Sequence, residues 1–256
     1  MGARGVLVPC SGAPRCARRP PRGMARLAGG RVITSKDNAR LKLVRALQRK
    51  KEREESGLFA CEGEDLCDAA LAAGIEPVDL LVAGENVEAE LLAGVSTLPH
   101  PARVIGVFRR DDLPVGVRAT CLALWQLTDP GNVGTLIRSA DAFGAAVSLS
   151  EGCAEPLSQK ALRASAGAIF RVPLVAWDER PGRQIALDAS GAMALMDVDL
   201  TAPVTIVLGA ERAGLPDEIL DACHTVAAIP MPGDAESLNV AAAGAIALYE
   251  LSRRAS

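Results

Sequence analysis

The chain has 256 residues, room for one large or two modest domains; 49% are hydrophobic and only 3% aromatic. Alanine, valine and leucine must therefore fill the cores, and a stacking platform for single-stranded nucleic acid is disfavoured. The net charge of −3 argues against a uniformly basic binder, yet more than half of the 28 Lys and Arg residues fall between Arg4 and Arg53.

Residues 1–30 are rich in Arg, Pro and Gly without a hydrophobic period, and read as a disordered extension or as a start codon placed too early. No signal-peptide core appears there, and no later stretch is apolar enough to span a bilayer, so no membrane is expected as a partner. SKDNARLKLVRALQRKKEREES predicts one helix with an apolar stripe of Leu41, Leu43, Val44 and Leu47, capped by Ser35 or Asp37 and basic on its other side. A strand at GLFACEG, a helix at EDLCDAALAAG, a strand at VDLLVAG, a helix from Val87 to Leu92 and a strand at RVIGVFR complete a small α/β domain over 31–110. Pro114 and Gly116 mark a linker over 111–118.

The second domain, 119–256, opens with the apolar strand CLALWQL, as expected where both sheet faces are covered. Then come a helix at NVGTLIRSADAFG, a strand at AAVSLSE, a helix at SQKALRASAGAIF with Ser158 as cap, and a strand at VPLVAW. A helix is expected near GRQIALDAS, strands at AMALMDV and VTIVLG, a helix at PDEILDA, a strand at VAAIPM and a terminal helix from SLNV onward. This order predicts an α/β fold with an open, mostly parallel sheet and helices on both faces.

Seven cysteines (Cys10, Cys16, Cys61, Cys67, Cys121, Cys153, Cys223) form no C-x-x-C pair, and only His100 and His224 could join them. Free thiols in a cytoplasmic protein fit better than a zinc site, so no metal is expected. No Ser-His-Asp set stands out, which disfavours triad hydrolysis.

Three strand-to-glycine transitions carry the chemistry. In DPGNVGTLIRSA, Asn132 could cap the helix, and Arg138, six residues on, is expected to converge with it near the helix start. A plain surface arginine would read the same way. Neither a dinucleotide fingerprint nor a G-K-[ST] phosphate loop is present, which argues against a nicotinamide-dependent oxidoreductase. In IVLGAERAGLP, Gly209 and Gly214 imply unusual backbone around Glu211. In IPMPGDAESLNVAAAGAIALYE, Ser237 suits a cap, whereas Asn239 between Leu238 and Val240 is unexplained by capping.

Taken together, these segments resemble the SpoU (TrmH-like) family of RNA ribose 2′-O-methyltransferases. Asn132, Gly134 and Arg138 match N-x-G-x-x-x-R; Gly209, Glu211, Gly214 and Leu215 match G-x-E-x-x-G-L; Ile229, Pro230, Met231, Gly233 and Ser237 to Val240 match the third motif. KALRASAGAIFRVP, with Lys160, Arg163, Ser165 and Gly167, matches the segment between them, and FACEGEDL matches the F-x-x-E-G of a leading domain. Arg212 departs from a usual glycine.

The resemblance implies a trefoil-knotted α/β methyltransferase domain behind a smaller ribosomal-protein-like substrate-binding domain. It implies S-adenosyl-L-methionine as cofactor, a homodimer with residues of both subunits in each active site, and structured RNA as partner, ribosomal RNA favoured over transfer RNA. It assigns catalysis to Asn132, Arg138, Glu211, Ser237 and Asn239, and cofactor binding to Leu208, Gly209, Ala210, Gly214, Ile229, Met231, Ser237 and Leu238. Arg31, Lys36, Arg40, Lys42, Arg45 and Arg163 would meet RNA phosphates, within a basic segment running to Arg53. A guanidinium is a poor base, so Arg138 is expected to orient the ribose and stabilise developing oxyanion charge. A catalytically silent RNA-binding relative, or a ribosome-associated protein, is the alternative.

Overall fold

The computed structural model describes residues 32–233 and 237–254. The expectations for residues 1–30 and for Arg31 lie outside them.

Two helices open the described chain, α1 (Ala39–Ala46) and α2 (Lys50–Ser56), where the sequence suggested one. Asn38, not Ser35 or Asp37, caps α1 through its side chain, 3.0 Å from Arg40 N. The chain breaks at Leu47 to Arg49, and Arg53 Nη1 donates to the freed Leu47 carbonyl at 2.6 Å. The break keeps Leu41, Val44 and Leu47 in one core while turning α2 away. After Gly57, in the left-handed region at φ +66°, come β1 (Leu58–Glu62), α3 (Glu64–Ala72), β2 (Asp79–Val82), α4 (Ala89–Ala93) and β3 (Val104–Arg109). The three strands form an antiparallel sheet in the order β1-β3-β2.

The rest of the chain builds a seven-stranded sheet whose pairings are all parallel. Its elements are β4 (Thr120–Leu124), α5 (Pro130–Ala142), β5 (Ala146–Leu149), α6 (Gln159–Ser165), β6 (Leu174–Val175), β7 (Arg183–Leu187), β8 (Met193–Ala194), β9 (Val204–Leu208), α7 (Asp217–Ala222), β10 (Thr225–Ala228) and α8 (Val240–Arg254). The strand order is β6-β5-β4-β9-β7-β10-β8, so β9 sits between β4 and the earlier β7.

GRQIALDAS is therefore strand β7 and not the expected helix. Ile185 pairs with Ile206 on one side and Thr225 on the other, and both Ile185 and Ala186 are fully buried. A central position in a sheet decides the conformation where five residues of ambiguous period do not. AMALMDV yields only the two-residue β8, followed by a 3-10 turn at Leu195–Asp197.

The two sheets share a core. Phe59 and Phe108 of the first pack on Phe170, in the 3-10 turn ahead of β6 of the second, with centroids 6.2 and 5.6 Å apart. At the carboxyl edge of the large sheet, β4, β7, β9 and β10 all end on the same side, where ligands bind in open α/β sheets.

Candidate active site

Helix α5 begins earlier than its sequence suggested. Asp129 caps it, accepting from Gly131 N at 2.7 Å, and Pro130 supplies the first helical position. Lys160 Nζ lies 2.6 Å from the same carboxylate oxygen. This contact and the Gly131 N–H hold the Asp129 carboxyl below its ordinary range. Freed from capping, Asn132 turns outward.

Asn132 Nδ2 donates to Glu211 Oε1 at 3.1 Å, and Asn239 Nδ2 donates to Asn132 Oδ1 at 3.3 Å. Asn239 Oδ1 accepts from Ala241 N at 2.9 Å, so this residue, not Ser237, is the one that caps the start of α8. The relay Asn239–Asn132–Glu211 thus ties all three strand-end segments together. Burial pushes the Glu211 carboxyl up, but the Asn132 amide and the N–H groups of Glu211, Asp129 and Thr128 outweigh it and hold the group below its ordinary value.

The loop carrying Glu211 is closed by Ala210 N to Gly214 O (3.0 Å) and Gly214 N to Ala210 O (2.9 Å). Gly214 is left-handed at φ +66°, and a Cβ at Gly209 would lie 2.6 Å from Leu215 N, so both positions require glycine.

Beside the relay opens a cavity of about 490 Å³, a size suited to a nucleoside-sized ligand. Leu208, Gly209, Ala210, Gly214, Ile229, Met231, Ser237 and Leu238 all line it, together with Glu211 and Asn239. Leu187, Leu208, Ile229 and Val240 give it apolar walls, and Asp188 and Glu211 add two carboxylates. The N–H groups of Met231 and Leu238 make no hydrogen bond to another described residue. Apolar walls, open backbone donors and carboxylates suit an adenosine with a cationic sulfonium. Sequence reasoning missed Asp188 and Leu187, because their segment was read as a helix. The strand-then-glycine pattern at IALDASG, ending at Gly191, was the available signal.

Arg138 does not converge with Asn132 within one chain. Six residues along a helix place two side chains about 120° apart around its axis. Arg138 is exposed and lies outside the cavity lining, and its side chain makes no hydrogen bond or ion pair with a described residue. Ser237 is exposed on the cavity rim.

The basic segment is less free than its composition suggested. Arg40 is held by Asp79 through Nε (2.7 Å) and Nη2, and Arg45 Nη1 donates to Lys36 O at 3.0 Å. Arg49, Lys50 and Lys51 pair with Glu52, Glu54 and Glu55 along α2. Arg53 is buried against Glu155 and is unavailable to RNA. Lys36, Lys42 and Arg163 remain exposed, with Lys42 3.4 Å from Asp37 and Arg163 3.5 Å from Thr97 Oγ1.

Comparison with known proteins identifies the family of both parts of the chain. Residues 119–249 match the SpoU rRNA Methylase family, and residues 38–110 match the MRM3-like substrate binding domain. An uncharacterized tRNA/rRNA methyltransferase of Synechocystis sp. is 32% identical over 87% of this chain and 93% of its own length. The 23S rRNA (guanosine(2553)-2′-O)-methyltransferase RlmP of Bacillus subtilis is 30% identical over 86% and 98%. The crystal structure of an AdoMet-bound rRNA methyltransferase from Sinorhizobium meliloti superposes with a TM-score of 0.78 at 30% identity, covering 88% of this chain and 98% of that one.

Proposed function

Because the chain belongs to the SpoU rRNA methylase family, we propose that it transfers a methyl group from S-adenosyl-L-methionine to a ribose 2′-hydroxyl of structured RNA, ribosomal RNA ahead of transfer RNA. The observation that carries this reading is the Asn239–Asn132–Glu211 relay on the rim of the 490 Å³ cavity. S-adenosyl-L-methionine, when bound, supplies an already activated methyl group. The protein's task is to align a poor nucleophile and ease the loss of its proton.

Leu208, Ile229 and Val240 would enclose the adenine, and the N–H groups of Met231 and Leu238 would read its edge. Asp188 and Glu211 put negative charge opposite a cationic sulfur. Glu211, ionised at neutral pH, is unsuited to donate a proton; it fixes the Asn132 amide. Asn132 and Asn239 then hold the ribose hydroxyls, and Ser237 reaches the incoming oxygen from the rim. Among the described residues that line the cavity of one chain, Arg212 is the one cation that could meet an oxyanion.

Arg138 would fill that role from a second copy. Phe143 of the segment after α5 and Ile246 and Tyr249 of α8 are 37%, 40% and 58% exposed, an apolar face suited to a homodimer. The domain division 31–110, 111–118 and 119–256, the trefoil knot, for which the insertion of β9 between β4 and β7 speaks, and a cytoplasmic location belong to the same reading. Exposed Lys36, Lys42 and Arg163 would meet phosphates.

The test is methyl incorporation into ribosomal RNA from cells lacking the gene. Arg138→Ala should lose at least about 100-fold in rate while binding S-adenosyl-L-methionine normally. Heterodimers of Arg138→Ala with Asn132→Ala should regain activity, because one of their two sites is intact. Near-normal turnover by Arg138→Ala refutes the assignment, and no recovery on mixing refutes the shared site.

A further inference from the structure

The covalent link between the two sheets gives little hold, since Val115 and Val117 are 89% and 57% exposed. Their relative placement comes from the seam. Its polar centre is Arg53, midway along α2, against Glu155, just ahead of α6, with side chains only 6% and 9% exposed. Arg53 Nε donates to Glu155 Oε1 at 2.9 Å, and Nη2 donates to Oε2 alongside it. The third arm, Nη1, is spent on Leu47 O at 2.6 Å. Gln159 Nε2 adds a bond to Ala60 O at 2.8 Å.

A desolvated ion pair contributes little net stability, because removing both charges from water offsets their attraction. A guanidinium fork on a carboxylate does accept only a narrow range of orientations. The pair's value is therefore alignment rather than strength. What it aligns is α6, whose opposite side carries the active-site helix: a Cβ at Gly134 of α5 would fall 2.6 Å from Ala164 Cβ and 3.0 Å from Ser165 N. Lys160, on the same short helix, holds the Asp129 cap of α5.

Resting on the methyltransferase reading, we propose that Arg53 and Glu155 are positioning residues. They lock the RNA-holding unit, residues 32–110, onto α6, so that bound RNA presents its ribose at a fixed distance from Asn132 and Asn239. Neither residue lines the cavity.

Arg53→Ala strands a buried carboxylate, so lost activity in that variant would be ambiguous. The decisive variant is Arg53→Met with Glu155→Leu, which keeps the volume buried and removes the fork. Full-length protein is assayed with labelled S-adenosyl-L-methionine and ribosomal RNA from cells lacking the gene. The expected result is a thermal midpoint lowered by only a few degrees, because Leu47 O loses its donor, with unchanged cofactor affinity, an RNA KM within about two-fold, and a kcat reduced about ten-fold or more, since small misplacement of a reactant is costly. Amide exchange should rise in both 58–62 and 159–165, and Arg53→Lys should recover part of kcat. A double variant with wild-type kcat and unchanged exchange overturns the proposal. If the wild-type protein transfers no methyl to ribosomal RNA or to transfer RNA from those cells, the methyltransferase reading fails instead, and exchange alone decides whether the pair locks the seam.

Discussion

Adding one methyl group at Gly134 separates packing from helix propensity. In an open helix, Gly→Ala stabilises by about 1 kcal/mol. Here the new Cβ would meet Ala164 Cβ at 2.6 Å, Ser165 N at 3.0 Å, and Ala161 O closer still. Two of these atoms are backbone, so no side-chain rotation relieves the contact and α5 must move off α6. Overpacking costs about 1–3 kcal/mol, and contacts this short onto backbone belong to the upper part of that range, about 2–3 kcal/mol, which exceeds the propensity gain. The net should be a loss of about 1–2 kcal/mol, or roughly 2–8 °C in Tm for a chain of this size. Because Asn132 rides on the same helix, the methyl-transfer rate should also fall about ten-fold or more. Gly131→Ala is the control: its Cβ would meet only side-chain atoms of Asp129 and Lys160, at 3.1 and 3.2 Å, that can give way. Urea unfolding and initial rates on the two variants make the comparison. A Gly134→Ala protein that is more stable than wild type and fully active would refute the packing argument.

Glu211→Gln keeps an acceptor for Asn132 but removes the charge, and should weaken S-adenosyl-L-methionine binding about five- to ten-fold by calorimetry; unchanged affinity would mean the carboxylate does not face the sulfonium. Glu211 and Asp129 have folded-state values below their ordinary 4.5 and 3.8, so the stability they contribute is complete above those values and is lost as pH falls through the folded ones. Acid unfolding of the Glu211→Gln protein should accordingly be less steep in that range, and an identical pH profile would count against it. Burial pushes the Cys67 and Cys121 thiols up to about 12, and raises Cys61 as well. Iodoacetamide at pH 8 should leave all three unmodified in the native protein, as read by mass spectrometry, and rapid labelling of any of them would contradict their burial. RNA affinity should fall as salt rises, with a shallow slope, because only a few cations of the basic segment are unpaired; a slope matching every Lys and Arg between 36 and 53 would contradict the pairing described.

The strands and their ends were legible because apolar runs such as CLALW and VTIVL leave no competing period, and glycines mark where each run stops. Strand ends pointed to the three segments, and the resemblance to the SpoU family named the cavity residues within them. Three features were hidden. RQIAL becomes strand β7 only through its two neighbours, so the isolated segment does not reveal it and Asp188 stays hidden with it. Asn132 was given a capping role that Asp129 fills, since a proline at the first helical position moves the helix start upstream. Arg53 reads as one more cation for RNA in sequence, because its partner Glu155 lies 102 positions away, beyond any local pattern. Asn239, unexplained as a cap in sequence, has two tasks: its Oδ1 caps α8 and its amide joins Asn132.

The most direct test of the account is to incubate ribosomal RNA from cells lacking the gene with the protein and methyl-labelled S-adenosyl-L-methionine, digest to nucleosides, and locate the label by mass spectrometry. The account predicts label on the ribose 2′-oxygen of one nucleotide, abolished by Asn132→Ala. Label on a base, or no label in either ribosomal or transfer RNA, would contradict it.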